Sequence, residues 1–256
     1  MEFLRDTWFL FLRLVRATSR MPVFVIISIV QPIIWVVLFG QLFQKVTTIR
    51  GFGAGSYVQF LAPGIAIMTA LFSAAYSGMG MIADIDRGVL DRLLATPATR
   101  GALIAGRILH SAVQVILQAG IILGVAFVLG AHPRGGVVGI LAVLLTASLL
   151  GAAFASFSNG LALIARRQEL VIAVMNFTVL PMTFLSSMMM SPTLMPPWIH
   201  GASRFNPVNW AVTAARDGFQ GQFTSEMASS LALLAGFALI CAFLATRAFG
   251  RYRRTM

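Results

Sequence analysis

Long apolar runs alternate with short arginine-rich gaps along this chain. Six runs are long enough to cross a bilayer, near residues 21–43, 57–83, 103–129, 137–165, 170–190 and 229–249. A spanning helix needs about 20 mostly apolar residues. A transmembrane β-barrel would show short segments of alternating polarity, whereas these runs are continuous. The pattern predicts an all-α integral membrane protein with six transmembrane helices in residues 21–256.

Residues 1–20 precede the first run and contain no helix breaker. On a helical wheel Leu4, Trp8, Phe11 and Val15 share one side, and Arg5, Arg13, Arg16 and Arg20 another. Phe9 breaks the pattern by landing among the arginines. This predicts an N-terminal interfacial helix, with arginines toward lipid headgroups or a partner. A plain basic anchor for the first span is the simpler alternative. A basic lead before an apolar run also marks a signal peptide. Here the lead is about twenty residues long and no small-x-small cleavage site follows Phe39, so we expect a retained helix.

Charge sets the orientation. The chain has 19 Lys+Arg against 8 Asp+Glu, a net charge of +11. A basic excess can mark nucleic-acid binding, but these arginines occupy the gaps between apolar runs, which points to membrane topology and no nucleic-acid partner. With both termini cytosolic, the inner segments hold Arg5, Arg13, Arg16 and Arg20, then Arg87, Arg92, Arg100 and Arg107, then Arg166 and Arg167, then Arg247, Arg251, Arg253 and Arg254. The outer segments keep only Lys45, Arg50, Arg134, Arg204 and Arg216. That bias is the positive-inside rule and places the chain as a multi-pass protein of the cytoplasmic (inner) membrane.

Composition narrows the chemistry. At 58% hydrophobic and 11% charged, the chain is far from a soluble domain, which is about 45–50% apolar and about 25% charged, and equally far from disorder. Its only lysine, Lys45, is followed by Val46, whereas a phosphate-binding P-loop needs Lys then Ser or Thr. The chain has no Gly-x-Ser-x-Gly elbow, no His-Glu-x-x-His zinc motif and no facing carboxylate pair, so an intramembrane hydrolase is disfavoured. Cys241 is alone and forms no internal disulfide. In this topology no Asp or Glu falls mid-span, which argues against a proton-coupled antiporter.

The segment 84–97 holds three of the eight acids and is the densest charge cluster. Asp84 with Arg87, and Arg87 with Asp91, have helical spacing and would each contribute a few tenths of a kcal/mol, roughly. Leu90, Leu93 and Leu94 form an apolar face, and Pro97 stops the helix. Such a helix suits a gripping partner protein. Equally, it suits a solvated turn with its leucines against the bilayer.

The stretch Phe60-Leu61-Ala62-Pro63-Gly64, then Met79-Gly80-Met81, then Arg87-Gly88-x-Leu90-x-Arg92-Leu93-Leu94-Ala95-Thr96-Pro97-x-x-Arg100 resembles the signature of ABC type-2 permeases, in particular the branch that includes the daunorubicin-resistance exporters. Pro196-Pro197-Trp198 followed by Asn206-Pro207 before the last span fits the same pattern. The resemblance implies a half-transporter. Two permease protomers, identical or related, pair in the membrane and dock two ABC ATPase subunits. It also implies that this chain is not an enzyme and binds no cofactor, with ATP and Mg residing on the partner. Residues 1–20 then resemble the connecting helix. Asp86, Arg87, Gly88, Leu90, Asp91, Arg92, Leu93, Leu94, Thr96 and Pro97 correspond to the coupling helix, near 84–97.

The outer segment 191–225 carries Pro192, Pro196, Pro197 and Pro207 interleaved with Trp198, Phe205, Trp210 and Phe219. A short helix is expected after Asn206, with Pro207 in its first turn. Half-helices dipping back into the membrane fit this segment, provided that protein buries their ends. An aromatic belt at the interface is the alternative. The resemblance favours re-entrant outer helices.

Polar groups inside the spans give candidate cargo contacts. Gln31, Trp35, Ser73, Tyr76, Asn176 and Thr178 could line a cavity between protomers, since the resemblance turns spans one, two and five toward the dimer axis. Interhelical hydrogen bonding, worth about 0.6 kcal/mol on average, explains most of them equally well. His110 in span three is either a packing residue or a proton or metal site. Gly120-x-x-x-Gly124 is expected to serve helix packing within the chain. The methionines Met182, Met188, Met189, Met190 and Met195 fill gaps or grease an exit path. The glycine runs at 51–55 and 135–136 look like flexible outer turns. The expected function is an ATP-driven exporter of lipophilic drugs, antibiotics or lipids. The alternatives are a permease for lipid-linked glycan or lipid, and an ATP-independent channel or secondary carrier.

Overall fold

The computed structural model describes residues 2–43, 57–95, 100–188, 192 and 195–252. Among them the elements are α1 (Glu2–Ser19), α2 (Pro22–Leu42), α3 (Tyr57–Ala75), α4 (Gly78–Asp86), α5 (Val89–Leu94), α6 (Arg100–Val128), α7 (Gly136–Ala165), α8 (Gln168–Phe184), α9 (Pro197–Ser203), α10 (Pro207–Gln220) and α11 (Ser225–Tyr252). All are α-helices, as the continuous apolar runs require.

Five stretches are long and apolar enough to cross a membrane: α2, α3 with α4, α6, α7 and α11. The expected fifth span at 170–190 is shorter than hydropathy indicates. Helix α8 has 17 residues, about 25 Å at the usual helical rise, against about 30 Å of hydrocarbon. Its apolar character continues past Phe184, but the backbone turns there and Ser186 and Ser187 become buried.

Helix α7 is the hub, with α3, α6, α10 and α11 packed around it. It can hold that position because its buried positions are mostly small, including Gly139, Ala142, Ala147, Gly151, Ala155 and Gly160. Small residues let helix backbones approach where lipid supplies no hydrophobic drive. Peripheral α2 buries Val36 and Pro32 but exposes Val23, Ile26, Ile27, Val30 and Leu38.

Span two is interrupted between α3 and α4, and α7 supplies side-chain partners at the break. Ser158 donates its hydroxyl to the Ala75 carbonyl and accepts the Gly78 N–H at 3.0 Å, replacing part of the helical ladder with a side chain. Asn159 donates to the Ser77 hydroxyl at 3.1 Å. A Cβ at Gly78 would lie 2.4 Å from the Ser158 carbonyl oxygen, so the contact demands glycine.

Two glycine expectations change. The turn expected at 135–136 is present, with Gly136 at φ 57°, but Gly135 is also tightly packed: a Cβ at Gly135 or Gly139 would come within 2.3 or 2.4 Å of the Gly218 carbonyl oxygen on α10. The spacing Gly135-x-x-x-Gly139 therefore does the close packing. Gly120 and Gly124 face outward on α6, where an added Cβ meets nothing within 4 Å.

The single helix expected over 84–97 is also corrected. Gly88 has φ 64°, a left-handed conformation that favours glycine, and it divides the segment into α4 and α5. Arg87 caps α4 while Asp91 lies in α5, so the continuous spacing behind the Arg87–Asp91 pairing is lost. Thr96 and Pro97 lie outside the described residues, as do the glycines at 51–55.

Gly139→Leu should destabilise the protein by at least about 2 kcal/mol, through overpacking against a backbone. Gly124→Leu should stay within about 0.5 kcal/mol of the parent. Thermal unfolding in detergent compares the two.

Candidate functional site

At the arginine-rich end of the bundle, α5 is bolted down by its leucines. Leu90 is 1% exposed. Together with Leu93 it lines a crevice walled by Leu10 and Leu14 of α1, Leu103 of α6 and Phe249 of α11. Leu90 and Leu93 thus face protein. Asp86, Arg87, Asp91 and Arg92 are exposed, and Leu94 closes the helix. The short helix presents charges outward and grips three helices inward.

Helix α1 lies along α6. Close approach is possible at Gly106, where a Cβ would be 2.9 Å from Leu10 Cβ and 3.3 Å from the Thr7 carbonyl oxygen. Thr18 Oγ1 and His110 Nε2 share a hydrogen bond of 2.9 Å, which ties α1 to α6. Among the described residues no group of His, Cys, Asp or Glu could hold a metal ion.

One acid joins these pieces. Asp84 on α4 accepts from Arg13 Nη2 of α1 at 2.6 Å and, on its other oxygen, from Arg107 Nη2 of α6. The Asp84 and Arg107 side chains are only 13% and 11% exposed. Asp84 therefore clamps α1 and α6, where the spacing had suggested a local pair with Arg87. Sequence reasoning missed both partners because they lie 71 and 23 residues away. The one available signal was an acid at the end of an apolar run.

At the opposite end, α10 completes the end of α8. Asn206 accepts the Val208 N–H at 2.9 Å as the α10 N-cap, ahead of Pro207. Its amide nitrogen donates to the Met182 and Leu185 carbonyls at 2.7 and 3.1 Å. Asn209 Oδ1 accepts the Ser187 N–H at 2.9 Å. Arg216 Nη2 donates to the Ser187 and Met188 carbonyls at 3.0 and 3.3 Å. Pro196 caps α9 and Pro197 opens it, with Trp198 exposed.

Arg216 was read only as an outer charge, yet it is buried with its guanidinium 3.8 Å above the Phe60 ring. From Phe60 a chain of ring contacts runs through Tyr57, Phe43 and Phe39 to Trp35, with centroid separations of 6.3, 5.6, 5.4 and 4.9 Å. The spacing of Trp35, Phe39 and Phe43 four residues apart was the legible part of this ladder.

The expected cargo residues separate. Tyr76, in the turn between α3 and α4, donates to Asn176 Oδ1 on α8 at 2.6 Å. Thr178 donates to the Val174 carbonyl within its own helix at 2.8 Å. Trp35 stacks on Phe39, Gln31 is exposed on α2, and Ser73 is half-buried on α3.

A bundle of membrane-length helices with a basic amphipathic helix and a short charged helix at one end defines a multi-pass membrane protein. Its sequence matches the family described as ABC-2 type transporter over residues 5–220, and the chain belongs to that family. It is 26% identical over 212 residues to the daunorubicin resistance ABC transporter permease protein DrrB1 of Streptomyces coeruleorubidus, covering 82% of this chain and 73% of that protein. It is 27% identical over 236 residues to the inner membrane transport permease YadH of Escherichia coli K12, covering 87% and 89%. It is 29% identical over 216 residues to the putative transport permease ycf38 of Cyanophora paradoxa, covering 84% and 74%. The chain is thus a multi-pass membrane protein of that transporter family.

Asp84→Asn strands two guanidiniums, one of them buried. It should cost about 3 kcal/mol and open α1 to trypsin. Arg13→Gln, at the more exposed arm, should cost about 1 kcal/mol or less. Melting and limited proteolysis test the pair. Separately, burial and the nearby Glu226 raise Asp217 to about 6. The fold then holds a proton that the unfolded chain, near 4, releases. Stability falls as pH rises through that window. Asp217→Asn should therefore raise stability by about 1 kcal/mol at pH 7.5 and leave it unchanged at pH 4, as followed by thermal unfolding.

Proposed function

We propose that this chain is the membrane half of an ATP-driven exporter that moves lipophilic drugs, antibiotics or lipids outward across the cytoplasmic membrane. In this reading both termini are cytosolic, and α8 with its turn at 185–188 is the fifth of six spans. Helix α1 lies in the inner interface, and α9 and α10 re-enter from outside. Two protomers pair and dock two ATPase subunits, which carry ATP and Mg.

The observation that carries the proposal is the mounting of α5. A helix of six residues contributes little rigidity alone. Here Leu90 anchors it among α1, α6 and α11, while Asp91 and Arg92 face outward. A push on its charged face is delivered to three long elements at once. Through α4 and Asp84 the same push reaches α1 and α6. Closure of the ATPase subunits then rocks one protomer against the other and opens the outer end, where α10 holds α8. The membrane relatives named as transport permeases support this reading, and the daunorubicin resistance protein supports the choice of lipophilic cargo.

Asp91→Arg combined with Arg92→Glu should cut drug export at least about tenfold and abolish cargo-stimulated ATPase activity in vesicles that contain the cognate ATPase. Melting should stay within about 1 kcal/mol, because both side chains are exposed. Unchanged export would remove α5 as the coupling element. Uphill transport by the purified chain alone would remove the whole reading.

A further inference from the structure

The face of α1 turned away from α6 is grooved. Phe9, Leu12, Arg13, Arg16, Ala17 and Arg20 line a concavity of about 400 Å³. Three guanidiniums contribute to it and no carboxylate does. Arg16 and Arg20 are exposed. Arg13 spends Nη2 on Asp84, yet its side chain remains 36% exposed. Phe9, the residue that broke the helical wheel, is 63% exposed in the same groove. Just past Arg20 the chain enters α2, whose first turns expose Val23, Ile26 and Ile27 at 67, 59 and 58%.

We propose that this groove holds the headgroup of an anionic phospholipid. The occupant must be anionic at one end, to match unpaired guanidiniums, and apolar next to it, to cover Phe9 and Leu12. It must also continue onto the lipid-facing surface of α2. A phospholipid with net negative charge meets all three demands. An acidic protein surface meets the first and leaves Phe9 and the start of α2 uncovered. Arg16 and Arg20 hold the phosphate, while Phe9 and Leu12 lie against the glycerol and upper acyl region. The site rests on the interfacial placement of α1 proposed above. It makes a lipid part of the Asp84 clamp, because Arg13 belongs to both groove and clamp. Anionic lipid then steadies α1 on α4 and α6.

The test uses the full chain in neutral detergent, titrated with phosphatidylglycerol or phosphatidylcholine, with bound lipid counted by native mass spectrometry. Phosphatidylglycerol should be preferred by at least about tenfold. Arg16→Gln with Arg20→Gln should weaken it about twentyfold, at roughly fivefold per cation, and leave phosphatidylcholine binding unchanged. Phe9→Ala should weaken phosphatidylglycerol but not glycerol phosphate. Melting without lipid should match the parent, which separates loss of the site from misfolding. Equal phosphatidylglycerol binding by the double variant overturns the proposal. So does competition by glycerol phosphate as strong as by the lipid, which would mark a free-phosphate site. Photo-cross-linking from position 16 to a co-purified protein in place of lipid overturns it as well. No ATP or ATPase is present, so the result is independent of whether the chain exports anything.

Discussion

A backbone group that ends inside hydrocarbon finds no water, so another part of the chain must satisfy it. That constraint accounts for the polar side chains at two helix interruptions in this otherwise apolar bundle. Helix α8 stops early, and its last carbonyls and following turn need partners. Asn206, Asn209 and Arg216 provide them, each from α10. Span two is interrupted at Tyr76–Ser77, and Ser158 and Asn159 of α7 take up the broken ladder. Each interruption is answered by a side chain from a neighbouring helix. Helix α10 and its N-cap are therefore structurally necessary for α8 to end where it does.

The same economy governs charge. The clamp at Asp84 places one acid between two cations from different helices, so α1, α4 and α6 share a junction that none could form alone. Buried ion pairs give modest net stability, because desolvation cancels much of the attraction. Their value here is geometric: they fix which turn of α1 faces which turn of α6. In the proposed mechanism this matters more than energy. A lever as short as α5 transmits displacement only if the elements behind it keep their register.

The spans were legible because lipid selects on hydropathy over about twenty residues, and no tertiary contact is needed to see it. The α10 start was legible because Asn206-Pro207 combines an N-cap with an N1 proline. The joints were not legible. Gly120-x-x-x-Gly124 and Gly135-x-x-x-Gly139 have identical spacing, yet only the second meets another backbone. Spacing fixes a helix face and says nothing about which neighbour that face meets. The Asp84 partners were hidden for the same reason, since local spacing offered Arg87 while the fold delivered Arg13 and Arg107. The break at Gly88 was the avoidable error. A glycine between two charged turns is a stop signal, and the three leucines beyond it made a continuous helix look more attractive than it was.

The placement of acids bears on where the energy enters. A carrier driven by protons needs a carboxylate that gains and loses its proton within the membrane. Among the described membrane-length helices the acids sit at the ends: Asp84 and Asp86 close span two, and Glu226 opens α11. Asp84, the most enclosed of these, already has both oxygens engaged by guanidiniums. Moving it through a transport cycle would break two ion pairs and expose Arg107 unpaired. The acid is thus built to hold helices together, and the exposed charges are concentrated on α5 and α1 outside the apolar core. In the proposed mechanism, force applied at that surface has a stiff path inward, whereas the acids of the described membrane-length helices lie only at their ends.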